Sequence, residues 1–172
     1  MNKSTQSIFI IILILVVLLA IFLYLNSDNL DKSKYLYTGQ IVEISHNDNT
    51  LEYDFESIKE LKEYTFSALL NESGKDPVNK EYTGVLLKEL IEDANIANNY
   101  SAVIVSAVDG YTVMIEKDKI LEDDNVYLAY KQDGERLKSR DEDGVGPFLM
   151  VISKDQFSQY WCKYVTSIEV ID

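Results

Sequence analysis

The sequence predicts an α+β domain that is mainly β and is preceded by one N-terminal transmembrane helix. Three observations lead to this fold class. Residues 8–25 form an uninterrupted apolar run, and the rest of the chain holds many short β-branched and aromatic stretches separated by turn residues. The clearest helical spacing starts at Thr83. Short strands with one or two inserted helices are typical of α+β and mainly β domains.

The apolar run at residues 8–25 has the length of a membrane-spanning helix. It contains no charged residue, and as a helix it would span ~27 Å, close to the thickness of the bilayer hydrocarbon. Lys3 precedes it and Asp28 follows it, so the positive-inside rule places residues 1–7 in the cytoplasm. A cleaved signal peptide is the alternative, but the N-terminal region is weakly basic and no clear cleavage site follows. We expect an uncleaved single-pass anchor in the cell membrane.

The remaining chain divides into a short tether and one domain. Residues 26–34 are polar and typical of a flexible connection. Residues 35–172 are enough for one domain with a hydrophobic core and too few for two ordinary domains. We expect this domain to lie outside the cell, in a bacterial envelope.

The first half of the domain is predicted to alternate strands with short helices. Strands are expected at residues 39–44, 50–55 and 64–70, with a short helix at 56–61. Residues 71–80 contain Gly74 and Pro77 and are predicted to be a loop. A helix is expected to start at Thr83, whose hydroxyl can cap it; its apolar residues are Leu86, Leu87, Leu90, Ile91 and Ala94.

The second half is organised around residues 103–115. This segment contains two β-branched strands joined at Asp109 and Gly110, a pair that tolerates the positive φ of a tight turn. A helical turn at 117–121 follows, and later strands are expected at 125–130, 147–152 and 164–171. Residues 138–144 are predicted to be a charged loop.

Charge and composition exclude several classes of function. The formal net charge is −13, and only Lys3 is charged within residues 1–25, so the remainder carries −14. Such a domain repels phosphate backbones, which makes nucleic acid a poor partner. The chain has one cysteine, Cys162, and one histidine, His46, so an intrachain disulfide and a Cys/His zinc site are excluded. Cys162 is expected to be a small buried residue, and His46 an exposed loop residue.

Five segments, taken in order, resemble one known family. They are Tyr82–Thr83–Gly84–Val85 with the following helix, Ala107–Val108–Asp109–Gly110–Tyr111, Val126–Tyr127–Leu128–Ala129–Tyr130, Gly146–Pro147–Phe148–Leu149, and Lys163–Tyr164–Val165. Together they resemble the oxidoreductase molybdopterin-binding domain, the fold of sulfite oxidase and related periplasmic reductases. The resemblance implies a mainly β domain with a molybdopterin cofactor whose metal is bound by a cysteine thiolate.

The resemblance also implies candidate cofactor-binding residues. These are Lys163, which matches a family lysine near the cofactor, the turn residues Asp109 and Gly110, and Gly146 of the Gly-Pro strand. The family's metal-binding cysteine lies upstream of the Thr-Gly-Val segment, where residues 63–70 contain none. The family's arginine in the Gly-Pro strand is Leu149 here. No metal ligand or catalytic residue is therefore assigned.

Other aromatic residues are candidates for a ligand pocket. Trp161 and Tyr164, beside Phe157 and Tyr160, could line an apolar pocket, although a plain aromatic core cluster is the favoured interpretation. Tyr111 is expected in the core.

Two functional hypotheses follow from these observations. The favoured one is a membrane-anchored, extracytoplasmic, non-catalytic module that binds a small ligand or an envelope protein and holds no cofactor. The alternative is a subunit of a molybdopterin-dependent oxidoreductase. The sequence supports the first because thiolate and arginine are missing where the cofactor would need them.

Overall fold

The structure is a computed structural model that describes residues 12–21 and 40–172. Residues 12–21 form helix α1. The predicted membrane span (residues 8–25) extends beyond this helix, and the predicted tether (residues 26–34) lies outside the described residues. Among the helices in the described ranges, none has the length and apolar character needed to cross a bilayer.

Residues 40–172 fold mainly into short strands, as the sequence predicts. The helices are α2 (Phe55–Glu60), α3 (Leu87–Asp93) and α4 (Lys117–Leu121). The strands are β1 (Ile41–His46), β2 (Asn49–Asp54), β3 (Tyr64–Leu70), β4 (Val78–Leu86), β5 (Ala102–Ala107), β6 (Thr112–Glu116), β7 (Val126–Gln132), β8 (Glu135–Arg136), β9 (Leu149–Ile152), β10 (Cys162–Lys163) and β11 (Val165–Ile171).

The strands form two sheets. The first has five strands in the order β2-β1-β11-β5-β6, in which β1 and β11 are parallel and the other neighbours are antiparallel. The second has the order β10-β9-β7-β4-β3, with β8 paired to β7, and its neighbours are antiparallel. The predicted mainly β, α+β architecture is confirmed.

The last crossing from the second sheet to the first takes a single residue. Lys163 ends β10 and Val165 begins β11, so Tyr164 is the only residue between these two strands. Tyr164 has a φ of 58°, in the left-handed region that few non-glycine residues adopt. Its N–H donates to Val145 and its carbonyl accepts from Val108, so neighbours on both sides hold this conformation.

One hydrophobic core lies between the elements. It contains residues from both sheets, among them Val105 and Val165 from the first and Leu128 and Met150 from the second, and Ile91 of α3. A core that contains residues of both sheets holds the two sheets together.

The helix expected to start at Thr83 is shifted. Thr83 lies inside β4, and α3 starts at Leu87 without a side-chain cap. The reason lies in the sheet, where Thr83 pairs with Thr65 of β3 on one side and with Lys131 of β7 on the other. Both neighbouring strands therefore hold Thr83 in an extended conformation. Gly84 allows this close pairing, because a Cβ there would lie 2.3 Å from the Leu128 carbonyl oxygen.

Candidate functional site

A cleft of about 660 Å³ lies where three segments of the domain meet. One is the loop between β3 and β4, another is the corner between β5 and β6, and the third is the segment that leads through β10 into β11. The lining residues are Asn71, Glu72, Ser73, Gly74, Lys75, Asp109, Tyr111, Phe157, Ser158, Gln159, Trp161, Lys163 and Tyr164. The volume is that of a small-molecule site.

The β5–β6 corner forms one wall of the cleft. The predicted Asp109–Gly110 turn is confirmed: Gly110 has a φ of 85° and donates its N–H to the Ala107 carbonyl. The Asp109 carboxylate accepts a hydrogen bond from the Tyr111 N–H at 3.1 Å. This short-range contact holds the carboxylate at the corner, where it lines the cleft.

Tyr111 is a cleft residue, and its predicted place in the core is wrong. Its side chain is 42% exposed, and its hydroxyl donates to the Gln159 carbonyl at 2.8 Å. Tyr111 lies just before β6, and this hydrogen bond holds its side chain at the end of the sheet. The buried side chains of β6 are those of Val113 and Ile115. The bond joins the corner to the turn at residues 157–160.

Three charged residues form a second part of the cleft lining. The Glu72 carboxylate accepts from Lys75 at 2.6 Å through one oxygen and from Lys163 at 2.9 Å through the other. Hydrogen bonds from Lys75 and then Lys163 lower the pKa of Glu72 to about 2. One carboxylate therefore pairs with both lysines that line the cleft.

The loop that carries Glu72 is attached to the third segment. The Asn71 side chain donates to the Gln156 carbonyl at 2.9 Å, and the Asn71 carbonyl accepts from the Ser158 N–H at 3.3 Å. The loop predicted at residues 71–80 ends earlier, because β4 begins at Val78, and the sequence pattern does not connect the loop with the site. Glu72 and Lys163 are 91 positions apart, and no local pattern predicts such a contact.

The aromatic residues divide between core and cleft. Trp161 lines the cleft but is only 5% exposed, stacks edge-on against Tyr82 and donates its indole N–H to the Ile152 carbonyl. Phe157 is 50% exposed and lines the cleft. Tyr164 also lines it, with the Arg140 guanidinium 5.8 Å from its ring centroid, whereas Tyr160 is exposed and is not a lining residue.

Cys162 is buried, as predicted. It lies in β10 opposite Met150, with its side chain inside the core. Burial, with a smaller contribution from the negative charge of Asp109, raises the pKa of the Cys162 thiol to about 12. The only thiol of the chain is therefore protonated at neutral pH.

The four candidate cofactor residues are not all brought together. Lys163 and Asp109 line the same cleft. Gly110 is in the turn beside Asp109 but does not line the cleft. Gly146 packs against Leu137, where a Cβ would lie 2.5 Å from the Leu137 Cβ, and is also outside the lining.

His46 differs from its predicted role as an exposed loop residue. It ends β1, and its ring contacts the Asp172 carboxylate at 2.8 Å. This pair does not line the cleft.

Comparison with known proteins identifies the family. The model of the oxidoreductase molybdopterin binding domain matches residues 41–172. The chain belongs to this family. Its fold is similar to that of the sulfane dehydrogenase SoxCD from Paracoccus pantotrophus, with a TM-score of 0.64 at 19% identity. The match covers 79% of this chain and 39% of the SoxCD chain. No curated protein matches the chain.

The cleft residues do not fit the family's cofactor. Molybdenum is bound by soft thiolates, and the pterin phosphate needs unpaired cationic donors. The one thiol is buried and protonated, and both cleft lysines are already paired with Glu72. Within residues 12–21 and 40–172, no three His, Cys, Asp or Glu side chains are grouped to hold a metal ion.

Proposed function

We propose that this chain is a membrane-anchored, extracytoplasmic binding module that uses the family's fold without molybdopterin chemistry. Its cleft receives a small ligand or the tip of an envelope protein partner. The observation that carries the proposal is the Lys75–Glu72–Lys163 arrangement, in which an internal carboxylate occupies the donors that an anionic cofactor would require.

Glu72 and an incoming phosphate compete for the same two lysines. A phosphate entering the cleft has to displace Glu72 from both lysines or remain unpaired beside its charge. Displacement would leave the Glu72 carboxylate, 26% exposed, close to the incoming anion, and like charges at short range in a partly buried site cost several kcal/mol. The −14 charge of residues 26–172 opposes the entry of an anion further.

Membrane attachment is supported by the sequence of the N-terminal region. Residues 8–25 form an uncharged apolar run whose length suits a membrane anchor. The basic residue before this run and the acidic residues after it favour a cytoplasmic N-terminus and an external domain. We expect the domain to contact envelope components and no nucleic acid.

Cofactor content tests the non-catalytic role. The full chain would be produced in a host that synthesises molybdopterin and purified in a nonionic detergent. Molybdenum would then be measured by mass spectrometry, and the released pterin by fluorescence. We expect molybdenum far below one atom per chain and a domain that unfolds cooperatively without cofactor. Stoichiometric molybdenum would reject the proposal.

Cysteine labelling tests the topology. The buried Cys162 should not react with a membrane-impermeant maleimide on intact cells, so the wild type supplies a low background. Asp48→Cys, in the exposed β1–β2 turn, should be labelled on intact cells. Ser4→Cys should be labelled only after permeabilisation. The reverse pattern would place the domain in the cytoplasm.

Family membership favours one alternative function. Members of the oxidoreductase molybdopterin binding domain family are named for that cofactor, so the chain could serve as a subunit of a molybdopterin-dependent oxidoreductase. This alternative predicts that molybdenum co-purifies with the chain, and the cofactor measurement above distinguishes the two functions.

A further inference from the structure

The charges of the cleft leave one carboxylate without a cation. Glu72 pairs with both Lys75 and Lys163, but it carries only one negative charge against their two positive charges. Asp109 balances the remainder, so the four lining side chains sum to zero. Among the described residues, no basic side chain forms an ion pair with Asp109; its contact is with the Tyr111 N–H. Asp109 is therefore the charged lining group that is free to bind a ligand.

Two exposed rings line the same cleft. Tyr111 follows the Asp109–Gly110 turn and is 42% exposed, and Phe157 is 50% exposed. Exposed aromatic rings in a concave site provide apolar surface for a ligand, and their negative π faces also favour a cation held nearby. The Tyr111 hydroxyl is bonded to Gln159, so its ring is held in place rather than free to rotate away.

We propose that the cleft binds a small organic cation, with its ammonium group beside Asp109 and its apolar portion against Tyr111 and Phe157. The inference rests on the proposed function, because it needs a cleft that is free of molybdopterin. The acidic domain adds to the local effect: a charge of −14 over residues 26–172 raises the concentration of cations at its surface.

The other cations near the cleft do not occupy this position. Lys163 and Lys75 are both bound to Glu72. Arg140 lies over the Tyr164 ring, so Tyr164 already has a cationic neighbour and is not counted as a binding surface. This arrangement predicts that the cleft binds cations more tightly than anions, because a cation can pair with Asp109, whereas both lysines are already paired with Glu72.

Binding can be followed through the single tryptophan. Trp161 lines the cleft, and the chain has no other tryptophan. The full chain would be titrated in a maltoside detergent, which lacks the choline headgroup of many lipids and detergents. The cationic probes are choline, 1,4-diaminobutane and benzylamine. The matched neutral probe is 3,3-dimethylbutanol, which has the shape of choline without its charge, and inorganic phosphate is the anionic probe.

We expect at least one cationic probe to bind, and choline to bind at least fivefold more tightly than 3,3-dimethylbutanol. Asp109→Asn should weaken cation binding about fivefold or more, the effect of one carboxylate near a surface, while its amide oxygen can still accept from Tyr111. Asp48→Asn makes the same charge change in a distant exposed turn and should change affinity less than twofold. Glu72→Gln frees both lysines and should weaken cation binding while phosphate binding appears.

Failure of all three cations to bind would overturn the inference. So would equal binding of choline and its neutral analogue, or an Asp109→Asn variant that binds like the wild type. Each of these results leaves the non-catalytic function intact, because it concerns only the class of ligand. Stoichiometric molybdenum would instead reject the proposed function, and the two failures are therefore distinguishable.

Discussion

Replacing Glu72 by glutamine tests whether the two-lysine arrangement stabilises the domain. The substitution keeps the shape of the side chain and an acceptor oxygen but removes the charge that Lys75 and Lys163 contact at 2.6 and 2.9 Å. After the change, the two lysine ammonium groups lie beside the same side chain without the counter-charge that they share in the wild type. The domain should lose stability at neutral pH.

The expected loss is about 1–2 kcal/mol. The change in the pKa of Glu72 from 4.5 to about 2 would correspond to about 3 kcal/mol if it acted in full. The lysine partners are 72% and 43% exposed, so water and salt screen much of the interaction, and measured exposed pairs contribute ~0.2–1 kcal/mol each. Two such pairs on one half-buried carboxylate therefore give an expected loss of about 1–2 kcal/mol.

The effect has a defined dependence on pH. The folded-state pKa of Glu72 is depressed below its unfolded value, so the stabilisation is complete above pH ~4.5 and is lost as the pH falls towards about 2. The difference in the free energy of unfolding between wild type and Glu72→Gln should therefore be largest at neutral pH. This difference should vanish as the pH approaches about 2.

Urea denaturation of the full chain in nonionic detergent, followed by Trp161 fluorescence, measures this difference. Glu56→Gln is the matched control, because Glu56 pairs with Lys59 at 3.2 Å but is 75% exposed; it should cost less than about 0.5 kcal/mol. The reasoning would be refuted if both variants lost the same stability at neutral pH. A loss in Glu72→Gln that persisted unchanged to pH 2 would refute the charge mechanism.

Three further predictions concern the fold around the cleft. Gly84→Ala should destabilise the domain by about 3 kcal/mol, because its Cβ would lie 2.3 Å from the Leu128 carbonyl oxygen between two paired strands; denaturation is the assay, and a near-neutral variant would show that the strands separate easily. Tyr130→Phe should cost about 1 kcal/mol, measured in the same way, because the hydroxyl donates to Glu63 at 2.7 Å; no loss would mean that water replaces this bond without cost. Cys162 should react with a thiol reagent only after denaturation, because its side chain is buried and its thiol pKa is raised to about 12; rapid reaction in the native chain would contradict its burial.

Much of the local structure could be predicted from the sequence. The strand at residues 64–70, the turn at Asp109–Gly110 and the helix at 117–121 are found where residue patterns place them. These elements depend on neighbours within a few positions, such as alternating apolar residues or a glycine that accepts positive φ. The order of the short motifs also identified the family before any fold was known.

The cleft was predicted only in part. The predicted candidates Asp109 and Lys163 do line it; Glu72 lies in a loop as predicted, but its place in the cleft is not predicted, and the core position predicted for Tyr111 is wrong. Their roles depend on a contact between Glu72 and Lys163 across 91 positions and on a bond from Tyr111 to Gln159 across 48 positions. No local pattern encodes such separations.

The sequence alone determined the charge of the chain, its single thiol, its apolar N-terminal run and the alternation of apolar and polar residues that is typical of strands. Only the tertiary structure decided that one acidic side chain would pair with two lysines, that Thr83 would extend a strand rather than begin a helix, and that Asp109 would face a cleft without a basic partner among the described residues. The reason is physical: local conformation follows from steric and hydrophobic preferences of nearby residues, whereas the charge balance of a cleft depends on which distant segments pack together.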